Sequence, residues 1–113
     1  PTVQAMLVRR LRRELEGSVN ARPSVAQLAR SLRVSTSTLT RACKDVLGHS
    51  AKEQVDRRVA LEAQRLLVHS TSTSVAIGEV LGFSEPTNFV KFFRRRVGVT
   101  PEVFRKAHRL PRN

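Results

Sequence analysis

The sequence predicts an all-α protein, and three features of its pattern support that prediction. Apolar residues recur at three- and four-residue spacing along nearly the whole chain, which places them on one face of successive helices. No segment alternates apolar and polar residues for long, as a half-buried β-strand would. A segment in the first half also matches one in the second half, which is typical of a repeated helical motif. We therefore expect seven helices forming two homeodomain-like helix-turn-helix subdomains joined by a long linker helix.

The first predicted unit spans residues 1–50 and contains three helices. Its opening helix ends at Gly17 and carries an apolar stripe made of Val3, Met6, Leu7, Leu11 and Leu15. Ser24 is placed to cap a short second helix, and a turn separates that helix from a third, predicted from about Ser37 to Leu47. Gly48 ends the third helix, whose expected buried face is Leu39, Ala42, Cys43, Val46 and Leu47.

The linker helix is predicted over residues 51–69. At 1.5 Å per residue it would be roughly 28 Å long, and successive major-groove faces of DNA repeat at about 34 Å. This length is close to the separation that two DNA-binding units on neighbouring groove turns require. The sequence therefore predicts that residues 1–113 act as a single domain that contacts two adjacent major-groove segments.

The second predicted unit spans residues 70–113 and repeats the plan of the first. A polar segment at 70–74 precedes a fifth helix whose apolar residues are Val75, Ile77, Val80 and Leu81. The expected buried side of the sixth helix is Phe89, Phe92, Phe93 and Val97. The residues that start or end helices in this unit are, in order, Gly82, Pro86, Gly98, Thr100 and Pro101.

The internal repeat aligns the segment from Ser24 to Ser50 with the segment from Thr73 to Thr100. In the first helix of each segment and the turn that follows it, the matched pairs are Leu28 and Ile77, Ala29 and Gly78, Leu32 and Leu81, Val34 and Phe83, and Ser35 and Ser84. After a one-residue insertion the pairs are Leu39 and Phe89, Arg41 and Lys91, Ala42 and Phe92, Cys43 and Phe93, Lys44 and Arg94, Leu47 and Val97, and Gly48 and Gly98. Each half is therefore predicted to be helix, tight turn, helix.

The exposed side of the second helix in each unit is predicted to contact DNA, because a helix-turn-helix leaves that helix free to enter the major groove. The predicted base-contacting residues are Ser37, Thr40, Arg41, Thr87, Asn88, Val90 and Lys91. Arginine can donate twice to guanine, asparagine pairs with adenine, and a valine can touch a thymine methyl. The predicted phosphate-contacting residues lie further along each helix and are Lys44, Arg94 and Arg95.

The charge of the chain favours a polyanionic partner, since 21 Lys and Arg against 9 Asp and Glu give a formal net charge of +12. No stretch is long and apolar enough to be expected to span a membrane. The single cysteine, Cys43, cannot form an internal disulfide, which favours a reduced, cytoplasmic setting. Two alternatives stay open at this point: an architectural DNA binder without sequence preference, and an enzyme acting on an acidic or nucleic substrate.

Catalytic, metal and cofactor sites are not expected. His49, His69 and His108 are scattered and lack the second histidine or cysteine that metal spacing demands. Serines and threonines cluster at helix caps and in the 70–74 segment, where hydrogen bonds to backbone explain them. No glycine-rich phosphate loop is present. The phenylalanines lie at helical core spacing and are expected in the core, not as platforms for base stacking.

The run Ile77-Gly78-Glu79-Val80-Leu81-Gly82-Phe83-Ser84 is followed by Phe89, Phe93, Gly98, Thr100-Pro101 and Phe104-Arg105. By these residues the sequence resembles the AraC/XylS family of regulators, and the similarity runs across nearly the whole chain. Two departures stand out: Gly78 replaces the family's usual Ala, which is expected to loosen the fifth helix by up to about 1 kcal/mol, and Val59-Ala60 replaces a common Arg-Leu pair.

The resemblance implies a DNA-binding domain of seven helices, with two helix-turn-helix units on either side of a long helix. It further implies a transcription regulator, chiefly an activator, that binds double-stranded promoter DNA and contacts RNA polymerase. Regulators of this family are commonly controlled by a separate effector or dimerisation domain. We therefore expect this sequence to be part of a longer chain.

Overall fold

The computed structural model describes residues 2–18 and 22–109. Its helices are α1 (Val3–Ser18), α2 (Val25–Ser31), α3 (Thr36–Leu47), α4 (Ala51–His69), α5 (Ser74–Val80), α6 (Pro86–Val97) and α7 (Pro101–His108). No β-strand occurs in the described ranges. The predicted all-α class and the order of seven helices are confirmed.

The chain divides into two compact units, Pro1–Arg58 and Val59–Asn113. The division falls inside α4, the helix that was predicted to link residues 1–50 to residues 70–113. Each unit therefore includes about half of that helix in its own core: Ala51 and Val55 are buried in the first unit, and Ala63 and Leu67 in the second.

The core of the first unit forms where α3 packs against α1 and α2. Its buried apolar side chains include Leu7, Val8, Leu11, Leu15, Leu28, Ala29, Leu32, Leu39, Ala42 and Cys43. Periodicity was wrong for three positions: Val3 is 83% exposed, Met6 is 52% exposed, and Val46 is also exposed. Gln4 Nε2 donates to Asp45 Oδ2 at 2.9 Å, which places the start of α1 beside the end of α3. Val3 and Met6 lie in the first turn of α1, and Val46 lies in the last turn of α3. At these helix ends the apolar side chains are not covered by a neighbouring helix.

The core of the second unit forms where α6 packs against α5 and α7. Its buried apolar side chains include Val59, Ala60, Ala63, Leu67, Ile77, Leu81, Phe83, Phe89, Phe93 and Phe104. Val59 and Ala60, which replace the more usual pair, are therefore core residues. Val75 and Val80 are exposed, against expectation, because the seven residues of α5 bury only one narrow face, around Ile77 and Gly78.

An arginine in each unit satisfies carbonyl groups at the end of a helix. Arg10 Nη2 donates to the carbonyl oxygen of Leu32 at 2.9 Å, at the end of α2. Arg105 Nε donates to the carbonyl oxygen of Leu67 at 2.9 Å, and its Nη2 donates to that of Ser70 at 3.2 Å. The last carbonyls of a helix have no partner within the helix, so these charged donors fix where the outer helix of each unit packs.

Candidate nucleic-acid interface

The first helix-turn-helix begins with a capping box at the start of α2. Gln27 N donates to Ser24 Oγ at 3.1 Å, and Ser24 N donates to Gln27 Oε1 at 2.8 Å, so each residue satisfies a backbone donor of the other. The turn after α2 is closed by Val34 N, which donates to the carbonyl oxygen of Ala29 at 3.0 Å. Arg33 adopts a left-handed conformation within this turn, with φ of 60°.

Helix α3 begins at the N-cap Ser35, whose Oγ accepts a hydrogen bond from Thr38 N at 3.0 Å. Leu39, Ala42 and Cys43 are buried on one side of the helix. The side away from this core carries the predicted contact residues: Ser37, Arg41 and Lys44 are exposed, and Thr40 is half-buried. Residues three and four apart share a helix face, so these side chains form a continuous polar and cationic stripe.

The second helix-turn-helix repeats the hydrogen bonds of the first. Thr73 Oγ1 accepts from Ala76 N at 3.1 Å to cap α5, and Phe83 N closes the turn by donating to the carbonyl oxygen of Gly78 at 2.9 Å. Gly82 takes the left-handed conformation here, with φ of 92°. It occupies the position that Arg33 occupies in the first unit, so the two turns have the same form.

Helix α6 starts with Pro86 in its first turn and buries Phe89 and Phe93. The predicted contact residues lie away from those rings: Thr87, Asn88, Lys91, Arg94 and Arg95 are exposed, and Val90 is half-buried. Thr40 and Val90 are equivalent in the repeat, and both are partly covered by their own unit. Among the predicted contact residues, these two present the least surface to a ligand.

Two exposed charged residues at the approaches to α3 and α6 were not predicted as contacts. Arg33 lies in the turn before α3, and Glu85 is the N-cap residue of α6. Glu85 was missed because the sequence repeat pairs Ser35 with Ser84, whereas in the structure Glu85 holds the N-cap position that Ser35 holds in the first unit.

Helices α3 and α6 differ in charge. Helix α3 carries Arg41, Lys44 and Asp45, and the carboxylate of Asp45 accepts a hydrogen bond from Gln4. Helix α6 carries Lys91 and three consecutive arginines, Arg94, Arg95 and Arg96, in its last turn. A polyanion would therefore be attracted more strongly to α6 than to α3.

Comparison with known proteins agrees with this geometry. A family model described as a helix-turn-helix domain matches residues 28–107, which is most of the chain. The chain belongs to the AraC family. It is 32% identical over 83 residues to the HTH-type transcriptional regulator Rv1931c of Mycobacterium tuberculosis, covering 74% of this chain and 32% of that protein. It is 28% identical over 94 residues to the uncharacterized HTH-type transcriptional regulator YisR of Bacillus subtilis, covering 83% of this chain and 33% of that protein. The chain thus spans about a third of the length of these relatives.

Solved structures with the same fold include DNA-binding domains. The C-terminal domain of AraT, a response regulator from Geobacillus stearothermophilus, superposes with a TM-score of 0.89 at 23% identity, covering 97% of this chain and 92% of that one. The DNA-binding domain of AdpA, solved in complex with a target DNA, gives a TM-score of 0.78 at 24% identity, covering 95% and 93% of the two chains. At these identities the similarity concerns the fold.

Gly78, where this AraC-family chain departs from the usual alanine, lies against Phe89. Gly78 is buried, and a Cβ atom added there would lie 3.0 Å from both Cβ and Cγ of Phe89. In the first unit the equivalent pair is Ala29 and Leu39, both buried. A larger residue on α6 is therefore matched by a smaller one on α5. The glycine therefore lets the Phe89 ring lie against α5 without the shift of a few tenths of an ångström that an alanine would need.

The groups that could carry other chemistry are the metal-ligating side chains, the Cys43 thiol and the phenylalanine rings. No three His, Cys, Asp or Glu side chains within residues 2–18 and 22–109 come together as metal ligands would. Burial raises the pKa of the Cys43 thiol, which keeps it protonated and poorly nucleophilic. The phenylalanine rings pack on each other, with Phe83 and Phe92 centroids 5.2 Å apart. Across these ranges no helix is long and apolar enough to cross a membrane.

Proposed function

We propose that this AraC-family domain binds double-stranded promoter DNA in a sequence-specific way, with one recognition helix from each unit, and that it regulates transcription chiefly as an activator. The observation that carries the proposal is the exposed polar and cationic stripe that recurs on α3 and α6, each opposite a buried apolar stripe. A helix-turn-helix presents its second helix to the major groove. The stripe on each helix would then face the base edges.

The roles within each stripe follow from side-chain chemistry and position. Ser37, Thr40 and Arg41 would contact bases from α3, and Thr87, Asn88, Val90 and Lys91 would do so from α6. Arginine and lysine donate to guanine, and asparagine pairs with adenine through two hydrogen bonds. Lys44, Arg94 and Arg95 lie about two turns into their helices and would bind phosphates, which sets the position of each helix without selecting sequence.

The proposed partners other than DNA are those that membership of the AraC family implies. Relatives named as transcriptional regulators are more than twice as long as this chain, which supports an effector or dimerisation domain elsewhere in the native protein. RNA polymerase is the proposed partner in activation, and the cytoplasm is the proposed location. We propose no cofactor, metal or enzymatic activity for this domain.

The test is selection of bound sequences from a random duplex pool at physiological salt. The wild type should enrich two blocks of sequence. Arg41→Ala should blur one block and Lys91→Ala the other, each at a cost of about 1–3 kcal/mol at a single base position. Matched controls are Arg12→Ala and Lys106→Ala, which remove the same charges from exposed positions on α1 and α7 and should weaken all sequences alike or not at all.

Two results would contradict the proposal. Enrichment of no sequence, with strongly salt-dependent binding to every duplex, would indicate an architectural binder instead. Loss of only one block in both substitutions would show that the units do not each contact bases.

A further inference from the structure

Glu85, the residue that precedes α6, differs from Ser35, the residue that precedes α3, because its side chain does not cap the helix. It is exposed and occupies the N-cap position of α6, where its side chain makes no capping hydrogen bond. Its backbone carbonyl accepts from Asn88 N at 3.1 Å, so the backbone is placed as in an N-cap while the carboxylate points elsewhere. Within the described ranges this carboxylate has no hydrogen-bond or ion-pair partner. It is available to an external ligand.

In the first unit the N-cap residue stabilises the start of the helix through its side chain. There the N-cap is Ser35, whose Oγ accepts from Thr38 N at 3.0 Å. Ser, Thr, Asp and Asn are strongly preferred as N-caps because their short side chains reach that backbone donor. Glutamate is longer and leaves the donor to other partners. The second unit therefore lacks a side-chain cap at the start of α6.

A free carboxylate at this point is unfavourable for DNA binding unless it meets a donor, because it repels phosphates. Lys91, the next charged residue along α6, is six residues away, or about 9 Å along the axis, too far to neutralise it. The first residues of a recognition helix contact base edges. In the major groove, the exocyclic amine of cytosine is the donor to which Glu and Asp typically bind.

We infer that Glu85 is a specificity-determining residue that accepts a hydrogen bond from the N4 amine of a cytosine, fixing that base at one position of the block contacted by α6. The inference rests on the proposed function. A purely structural role would instead be the favourable interaction of a carboxylate with the positive end of the helix dipole. These two roles predict different responses to substitution.

The decisive variant is Glu85→Ser, which copies the N-cap of the first unit. Because this variant restores the cap, it should melt at a higher temperature. If Glu85 selects cytosine, the variant should also lose the cytosine preference. Glu85→Gln keeps the size but removes the charge, and it should also lose the preference. The matched control is Glu79→Gln, an exposed glutamate on α5, which should leave the selected sequence unchanged.

Selection from a random duplex pool should be run on the full chain and all three variants. The affinity for a wild-type site should then be compared with that for a site carrying thymine in place of the cytosine. The wild type should bind the altered site roughly 5- to 100-fold more weakly, whereas Glu85→Ser should bind both sites equally. A cytosine preference that survives in Glu85→Ser and Glu85→Gln overturns the inference while leaving the proposed function intact. Absence of any selected sequence in the wild type overturns both.

Discussion

The two helix-turn-helix units have the same backbone hydrogen bonds but different cores. Around α3 the core is aliphatic, centred on Leu39 and Cys43, whereas around α6 it is aromatic, with the Phe89 and Phe93 ring centroids 6.0 Å apart. The turn is closed in both units by the same bond, from Val34 N or Phe83 N to a carbonyl five residues earlier. The motif is thus defined by turn geometry and by the position of the buried stripe, and its core can be filled with side chains of different size.

The difference between the cores should appear most strongly at the equivalent residues Phe93 and Cys43. The Phe93 ring packs between Phe89 and Phe104, at centroid distances of 6.0 and 5.5 Å. Phe93→Ala should lower the free energy of unfolding by about 3–5 kcal/mol. Cys43→Ala should lower it by only about 1 kcal/mol, because the removed group is small. Urea unfolding followed by circular dichroism at 222 nm measures both.

Hydrogen exchange gives the control for this comparison. Amide protection in Phe93→Ala should fall in the second unit, and that in Cys43→Ala in the first. Equal losses of stability from the two substitutions would mean that the aromatic cluster contributes no more than the aliphatic core.

The Gly78 and Phe89 pair of the second unit can be compared directly with the equivalent Ala29 and Leu39 pair of the first unit. Gly78→Ala should lower the free energy of unfolding by about 0–2 kcal/mol, because overpacking costs about 1–3 kcal/mol and the gain in helix propensity offsets about 1 kcal/mol. Adding Phe89→Leu, which copies the Ala29 and Leu39 pair, should make Gly78→Ala neutral or stabilising. A double-mutant cycle on unfolding free energies measures this coupling. A Gly78→Ala effect of the same sign and size in both backgrounds would show that Phe89 does not require the glycine.

The two turns should respond in opposite ways to exchange of their left-handed residues. Arg33 holds φ of 60°, a region in which a non-glycine residue is strained, whereas Gly82 holds φ of 92° at no steric cost. Arg33→Gly should raise the free energy of unfolding by up to about 1 kcal/mol, and Gly82→Arg should lower it by about 1–2 kcal/mol. Thermal unfolding checks both. Destabilisation by Arg33→Gly would show that the arginine side chain contributes more than its backbone strain costs.

The smallest effect concerns pH and is confined to the first unit. Burial raises the pKa of the Cys43 thiol in the folded protein. As the pH rises past the thiol pKa of the unfolded chain, the unfolded state loses this proton while the folded state keeps it, so stability falls. Between pH 8 and pH 10 the wild type should therefore lose more stability than Cys43→Ala. Identical losses in the two proteins would show that the thiol ionises equally well in both states.

The helices and the exposed polar and cationic stripes of α3 and α6 could largely be predicted from sequence, because each depends on residues close together in the chain. Caps at Ser24 and Thr100 and the glycines that end α3 and α6 are local signals, and the structure places them as expected. The interior was predicted less well. Val3, Met6 and Val80 fit an apolar helical stripe but are exposed, because periodicity marks a face without showing how far a neighbouring helix covers it.

The sequence by itself determined the fold class, the repeat and the face of α3 and of α6 that carries polar and cationic side chains. These follow from spacing along one helix, which the chain encodes locally. Only the tertiary structure decided how closely residue 78 faces Phe89, where the compact units divide within α4, and that the carboxylate of Glu85 lacks a partner among residues 2–18 and 22–109. Each of these depends on distances between atoms far apart in the chain or on the direction of one side chain, and neither is fixed by periodicity.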